Sequence, residues 1–169
     1  MQDILVKKAK KGDKDSFSKI IQEVKDQAYR VAYCYLHNEE DSMDAVCDAI
    51  EKAYNNIKKL KHPKYFKTWF IRIVINECKK QITQKNRVIY VADEIYKEDI
   101  KDNKDDKLDI EALLKELPEL ERSLIYMKYY LGYTLLEISE IVSLPEGTVK
   151  SKIYNNLKKM KTRLEIREV

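Results

Sequence analysis

Two stretches of this 169-residue sequence place cations, rings and small polar groups close enough together to handle a polyanion. The first is Lys64-Tyr65-Phe66-Lys67-Thr68-Trp69-Phe70-Ile71-Arg72, in which aromatics are interleaved with charges. Rings stack on unpaired bases while ammonium and guanidinium groups neutralise the backbone beside them, which is what holding a single nucleic-acid strand requires. Trp69 and Phe70 read as core residues of a helix. Tyr65 and Phe66 precede that helix, where a loop presents side chains outward beside Lys67. Arg72, Asn76, Lys79 and Lys80 follow at helical positions 0, 4, 7 and 8, so one face collects them and can follow a strand.

The second stretch, Gly147-Thr148-Val149-Lys150-Ser151-Lys152, opens a helix of different character. From Thr148 to Arg163 there are six cations and no acid, a density that repels itself unless it is solvated or faces phosphate. Val149, Ile153, Leu157 and Met160 or Lys161 recur at three to four residues and form its buried face. Lys150, Ser151, Lys152, Tyr154, Asn155 and Lys158 lie on the other face, with Thr148 at its start. A short helix precedes it, announced by the capping box Thr134-x-x-Glu137 and carrying Ile138, Ile141 and Val142. Ser143-Leu144-Pro145 stops that helix, because proline disfavours helical geometry in the residue before it and has no amide proton. Two helices joined by a tight turn, with cations at the start of the second, suit the DNA major groove.

Catalytic chemistry has little to stand on. The only histidines are His37 and His62, and no phosphate loop, nucleophile elbow or carboxylate pair is present. Cys34 and His37 share a helical face and Cys47 follows, but the set lacks a fourth ligand and matches no zinc spacing. The cysteines read as small buried apolar residues. No enzyme activity, metal or cofactor is expected.

Positioning these groups takes a series of helices. Phe17, Ile20, Ile21, Val24, Ala28, Val31 and Tyr35 predict a long amphipathic helix over about 14–36, ending at His37-Asn38. Asp41 or Ser42 can cap the next, whose inward stripe is Val46, Ala49, Ile50, Ala53, Ile57 and Leu60. His62-Pro63 breaks it, and Thr68 offers the cap of a third. Leu108 to Leu117 forms another helix, Pro118 starts the one containing Leu120, Leu124, Ile125 and Met127, and Leu131-Gly132 turns into the helix pair above. The fold expected is all-α, with a helical bundle over 1–87, an acidic polar linker over 88–107 and a helix-turn-helix domain over 108–169.

Composition agrees, with three glycines, three prolines and 37% charged residues. No apolar run approaches the roughly 20 residues of a membrane span, and the first residues lack a secretory core. A cytoplasmic protein without membrane insertion is expected, which its odd count of three cysteines also suits. Charge alternates in blocks: residues 38–51 carry six acids and no cation, residues 57–90 carry ten cations and one acid, and residues 93–106 carry seven acids and three lysines. Separate charged blocks imply separate surfaces for separate partners.

The order of parts resembles the extracytoplasmic-function group of bacterial sigma factors, from about Gly12 to Arg163. The matching motifs are Gly12-Asp13-x-x-x-Phe17, Thr68-Trp69-Phe70-x-Arg72-Ile73-x-x-Asn76, Leu117-Pro118-x-x-x-Arg122, Glu137-Ile138 and Gly147-Thr148-Val149-Lys150-Ser151. The resemblance implies a region 2-like bundle, a region 4-like helix-turn-helix domain and a role in promoter recognition, DNA opening and transcription initiation. It implies that Asp41, Asp44, Cys47, Asp48 and Glu51 meet the β′ clamp helices of core RNA polymerase, with the β flap as a second contact. Tyr65, Phe66, Lys67, Arg72, Asn76, Lys79 and Lys80 would bind the start-proximal promoter element. Thr148, Lys150, Ser151, Lys152, Tyr154, Asn155 and Lys158 would bind the upstream one. An anti-sigma partner, often membrane-anchored, is implied as well. Ser143 stands where the family commonly has glycine, and Asn155 and Leu157 where it often has arginine. The alternatives are a dimeric helix-turn-helix regulator that does not bind polymerase and a helical interaction module.

Overall fold

The computed structural model describes residues 2–92 and 110–165. They form α1 (Gln2–Lys10), α2 (Lys14–Leu36), α3 (Glu39–Asn56), α4 (Phe66–Ala92), α5 (Ile110–Lys115), α6 (Glu119–Tyr129), α7 (Leu135–Val142) and α8 (Glu146–Glu165), with 3-10 turns at Ile57–Lys59 and Pro63–Tyr65. No helix among the described residues is long and apolar enough to cross a membrane.

Local chemistry sets most boundaries. Asp13 caps α2 by accepting from the Ser16 amide at 3.1 Å and the Ser16 hydroxyl at 2.9 Å, holding its carboxyl below the usual carboxylate range. His37 ends α2 in the left-handed region at φ 50°. Asn38, rather than Asp41 or Ser42, caps α3 by accepting from the Asp41 amide at 2.9 Å. In the two-residue link between these helices His37 takes the left-handed region, which leaves Asn38 to adopt extended cap geometry.

The helix α4 departs further from expectation. The turn at Pro63 launches it at Phe66, so Thr68 lies inside it and caps nothing. It also runs on to Ala92, through the first residues expected in the linker. The rest of that segment, 93–107, lies outside the described residues. The expected helix over 108–117 is seen as the shorter α5.

Within the bundle α2, α3 and α4 pack on one another and α1 lies across α2. Phe66 and Phe70 stack at 6.0 Å with nearly parallel rings, among Ile20, Ile71, Val74 and Ile75, all fully buried. The C-terminal half closes α6, α7 and α8 around Leu124, Met127, Ile138, Ile141, Val149 and Ile153. The capping box at Thr134 forms in both directions, with the Thr134 amide donating to Glu137 at 2.8 Å and the Glu137 amide donating to Thr134 Oγ1 at 3.1 Å.

Candidate nucleic-acid interface

The 3-10 turn before α4 presents Tyr65 to solvent, 44% exposed. The Lys64 ammonium sits 4.7 Å above its ring. Phe66 does not join it. Together with Phe70, Val74 and Cys78 it forms a stripe at four-residue spacing, and its exposure is 0%. Full burial of a phenylalanine stabilises by about 2–3 kcal/mol, which removes Phe66 from the candidate strand contacts. Trp69 departs in the opposite sense, being half-buried rather than core.

Trp69 instead walls an open cavity of about 310 Å³ between α3 and α4, shared with Lys52, Asn56, Lys59, Ile73, Asn76 and Glu77. The buried Glu77 carboxylate is met by Lys52 at 2.5 Å, so the charge left at the rim is that of Lys59. An indole, an aliphatic wall and two amides match a flat heterocycle that stacks on its face and hydrogen-bonds along its edge. Lys79 and Lys80 are exposed farther along α4. Lys52, Asn56 and Lys59 were missed in the sequence because they belong to the end of α3 and the turn after it; only the lysine run at 58–61 hinted at them.

On α3, Asp44, Cys47, Asp48 and Glu51 are exposed along one side. Cys47 and Glu51 border a second, more apolar groove of about 470 Å³ with Phe17, Ile50 and Tyr54. The exposure of Cys47 corrects its reading as a buried apolar residue, since α3 turns its neighbours Val46 and Ala49 inward. Asp41 is tied to Lys85 of α4 at 2.5 Å. Burial pushes the Cys34 thiol up to about 11 and Cys78 to about 12, so both stay protonated and unreactive near neutrality.

In the helix-turn-helix, Lys150, Ser151, Tyr154, Asn155 and Lys158 are exposed on α8, and Thr148 is half-buried at its start. The Ser151 hydroxyl donates to the Thr148 carbonyl at 3.0 Å. Lys152 departs from the expectation of an outward cation: half-buried, it pairs with Glu121 of α6 at 2.7 Å. It sits one position before the inward Ile153, close enough to the α6 side for a long stem to fold back.

The two halves touch, α6 against α2 and α7 against α4. Arg122 of α6 is 6% exposed. Its Nε donates to the Cys34 carbonyl at 2.6 Å, and Nη1 donates to the Leu117 carbonyl at 2.9 Å and the Lys115 carbonyl at 3.2 Å. Cys34 lies in the last turn of α2 and Lys115 ends α5, so one guanidinium serves the negative ends of two helices. Beside it the Ser123 hydroxyl donates to Leu120 at 2.6 Å, leaving the Tyr35 hydroxyl, 3.1 Å away, to donate to Ser123. At the solvent edge Arg72 Nη2 donates to Ser143 Oγ at 2.8 Å.

The family model for sigma-70 region 2 matches residues 20–88, and that for sigma-70 region 4 matches residues 107–160. The chain is 30% identical over 176 residues to the ECF RNA polymerase sigma factor SigW of Bacillus subtilis, covering 94% of each. This chain is an ECF sigma factor of the sigma-70 family. A second relative, the RNA polymerase sigma factor SigV of Bacillus subtilis, is 30% identical over 143 residues, 83% of this chain and 86% of that one. The fold is similar to that of the sigma factor RpoE solved with the anti-sigma factor NepR from Bartonella quintana, with a TM-score of 0.73, 19% identity and coverage of 89% of this chain and 97% of that one. It is also similar to CnrH solved with the cytosolic domain of CnrY, with a TM-score of 0.72, 18% identity and coverage of 98% and 97%.

The sigma factor thus carries the Trp69 cavity, its acidic helix face and its helix-turn-helix on one all-helical frame. A titrating group sits where its halves meet. Burial, then the charges of Arg122 and Lys115, hold His37 below the ordinary imidazole value, with Glu119 opposing them. A depressed imidazole favours the packed form while neutral, so acidification through the usual imidazole range near pH 6.5 weakens that packing. Arg122→Met is expected to raise the His37 midpoint in an NMR titration; an unchanged midpoint would remove Arg122 as a cause.

Proposed function

We propose that the sigma factor holds core RNA polymerase through the exposed acidic face of α3, captures an unpaired promoter base at the Trp69–Asn76 cavity, and reads the upstream duplex with α8. In this reading residues 1–87 form the polymerase-binding and start-proximal domain, 88–107 the connection and 108–169 the upstream-element domain. The cavity is the observation that carries it, because the half-buried Trp69 leaves part of its ring as an open stacking wall beside the Asn56 and Asn76 amides and the rim charge of Lys59. Tyr65, Lys67, Arg72, Lys79 and Lys80 supply further ring and phosphate contacts along the same edge. Asp44, Asp48 and Glu51, with Cys47 between them, supply the polymerase contact, and the β flap is assigned to the C-terminal half.

On α8, Lys150 and Asn155 address base edges, with Ser151 and Tyr154 beside them and Thr148 and Lys158 toward the backbone. A lysine donates to guanine without the fixed fork of arginine, so discrimination at its base pair is softer. Opening needs no covalent step: strand-binding energy realised only on unpaired DNA shifts the melting equilibrium. The factor is accordingly read as non-enzymatic, without metal or cofactor, and as working in the cytoplasm where the polymerase is. RpoE and CnrH were solved with NepR and the cytosolic domain of CnrY, and an anti-sigma protein is the regulatory partner assigned to this chain.

The deciding experiment mixes the protein with core RNA polymerase and genomic fragments and reads run-off transcripts. Discrete starts that require the protein are expected. Tight duplex binding without polymerase association would replace this reading with that of a helix-turn-helix regulator.

A further inference from the structure

Lys67 and Arg72, on the two sides of the α4 face that packs on α7, are both engaged in the free chain. Arg72 Nη2 donates to Ser143 Oγ at 2.8 Å, and the Lys67 ammonium lies 5.2 Å from the centre of the Tyr133 ring. Tyr133 and Ser143 flank the two ends of α7, the first helix of the helix-turn-helix, so these two α4 cations are engaged at the two ends of one element. Arg72 and Ser143 lie at the exposed edge of this contact, where competing groups from solution reach them.

Ser143 is an unusual residue for its place. It ends α7 in the left-handed region at φ 59°, a conformation that glycine adopts freely and side chains resist. Glycine there would relieve the backbone but would offer Arg72 nothing. Serine keeps the strained turn and adds the one atom that reaches across to α4.

We propose that this α4 face is a shared surface, holding the chain's own helix-turn-helix half through Ser143 and Tyr133 until a nucleic-acid strand displaces it. The proposal rests on the reading of Arg72 and Lys67 as strand contacts. A phosphate oxygen offers Arg72 a charged acceptor in place of a neutral hydroxyl, and charged hydrogen bonds are the stronger. Strand binding therefore wins Arg72 from Ser143, and its apparent affinity is lowered by the fraction of molecules that must first open.

The test uses the full-length chain, a fluorescent 20-nucleotide single strand of random sequence at low salt, and amide hydrogen exchange. Ser143→Gly is expected to fold, since it relaxes a left-handed turn. It should speed exchange over residues 135–143 and tighten strand binding by about fivefold, the order expected when one weak competing contact is lost. Ser143→Ala, which keeps the strain and loses the hydroxyl, should move both readouts the same way. Saturating strand should speed exchange over 135–143 in the unsubstituted protein. Unchanged exchange and affinity in both variants would overturn the contact as a restraint. Faster exchange with unchanged affinity would overturn the sharing of the surface. In that case Arg72→Ala separates the two claims: weaker strand binding leaves Arg72 a strand contact, and unchanged binding removes that role as well.

Discussion

Arg122→Met is expected to lower the unfolding free energy by about 3 kcal/mol, the scale for removing hydrogen bonds from a buried charged donor and stranding their acceptors. Among the described residues its guanidinium donates to three backbone carbonyls, those of Cys34, Lys115 and Leu117. Methionine fills much of the volume but donates nothing, so the carbonyl ends of α2 and α5 lose their shared cation. Lysine should recover only part of the loss, because a point ammonium cannot reproduce a planar fork aimed at two helix ends. Thermal unfolding followed by circular dichroism should show a midpoint about 10 °C lower for methionine in a chain of this size. A drop under about 2 °C would mean that the halves are held elsewhere and that Arg122 is dispensable.

Asp44→Ala combined with Asp48→Ala should weaken association with core RNA polymerase by about 100-fold, equivalent to about 2.7 kcal/mol. Both carboxylates are exposed on α3, one helical turn apart, so they meet a basic partner together. Neither caps a helix or fills the core, and the melting midpoint of the free protein should stay within about 2 °C. Duplex binding by the helix-turn-helix half should not change. A surface-plasmon measurement in which the double variant binds polymerase normally would move the polymerase contact away from α3. Equal loss of polymerase and duplex binding would point to misfolding.

How far these sites were legible from sequence differs residue by residue. Thr134 and Glu137 announce their helix because a capping box closes within one turn and needs no neighbour from elsewhere. The four-residue stripe of Phe66, Phe70, Val74 and Cys78 was equally present in the sequence. Phe66 falls outside the expected helix because a break at His62-Pro63 followed by a cap at Thr68 leaves it in a loop, whereas the 3-10 turn at Pro63 restores helix from Phe66 onward. The exposed residues of α8 follow from their places opposite Val149 and Ile153. Lys152 is the exception, since Glu121 draws it inward from 31 positions away.

The sequence by itself determined most of the helices, the Thr134 capping box and most of the faces they bury, because capping and periodicity act between residues three or four apart. Its motifs were enough for the sigma-factor family. Only the tertiary structure decided which partners the long polar side chains take. Arg122 reaches a carbonyl 88 residues away and Arg72 a hydroxyl 71 residues away. The cavity behind Trp69 exists only because α3 and the turn after it bring Lys52, Asn56 and Lys59 against α4. Such pairings depend on which acceptors helix packing carries within reach of a flexible stem, and neither charge nor spacing along the chain encodes that geometry.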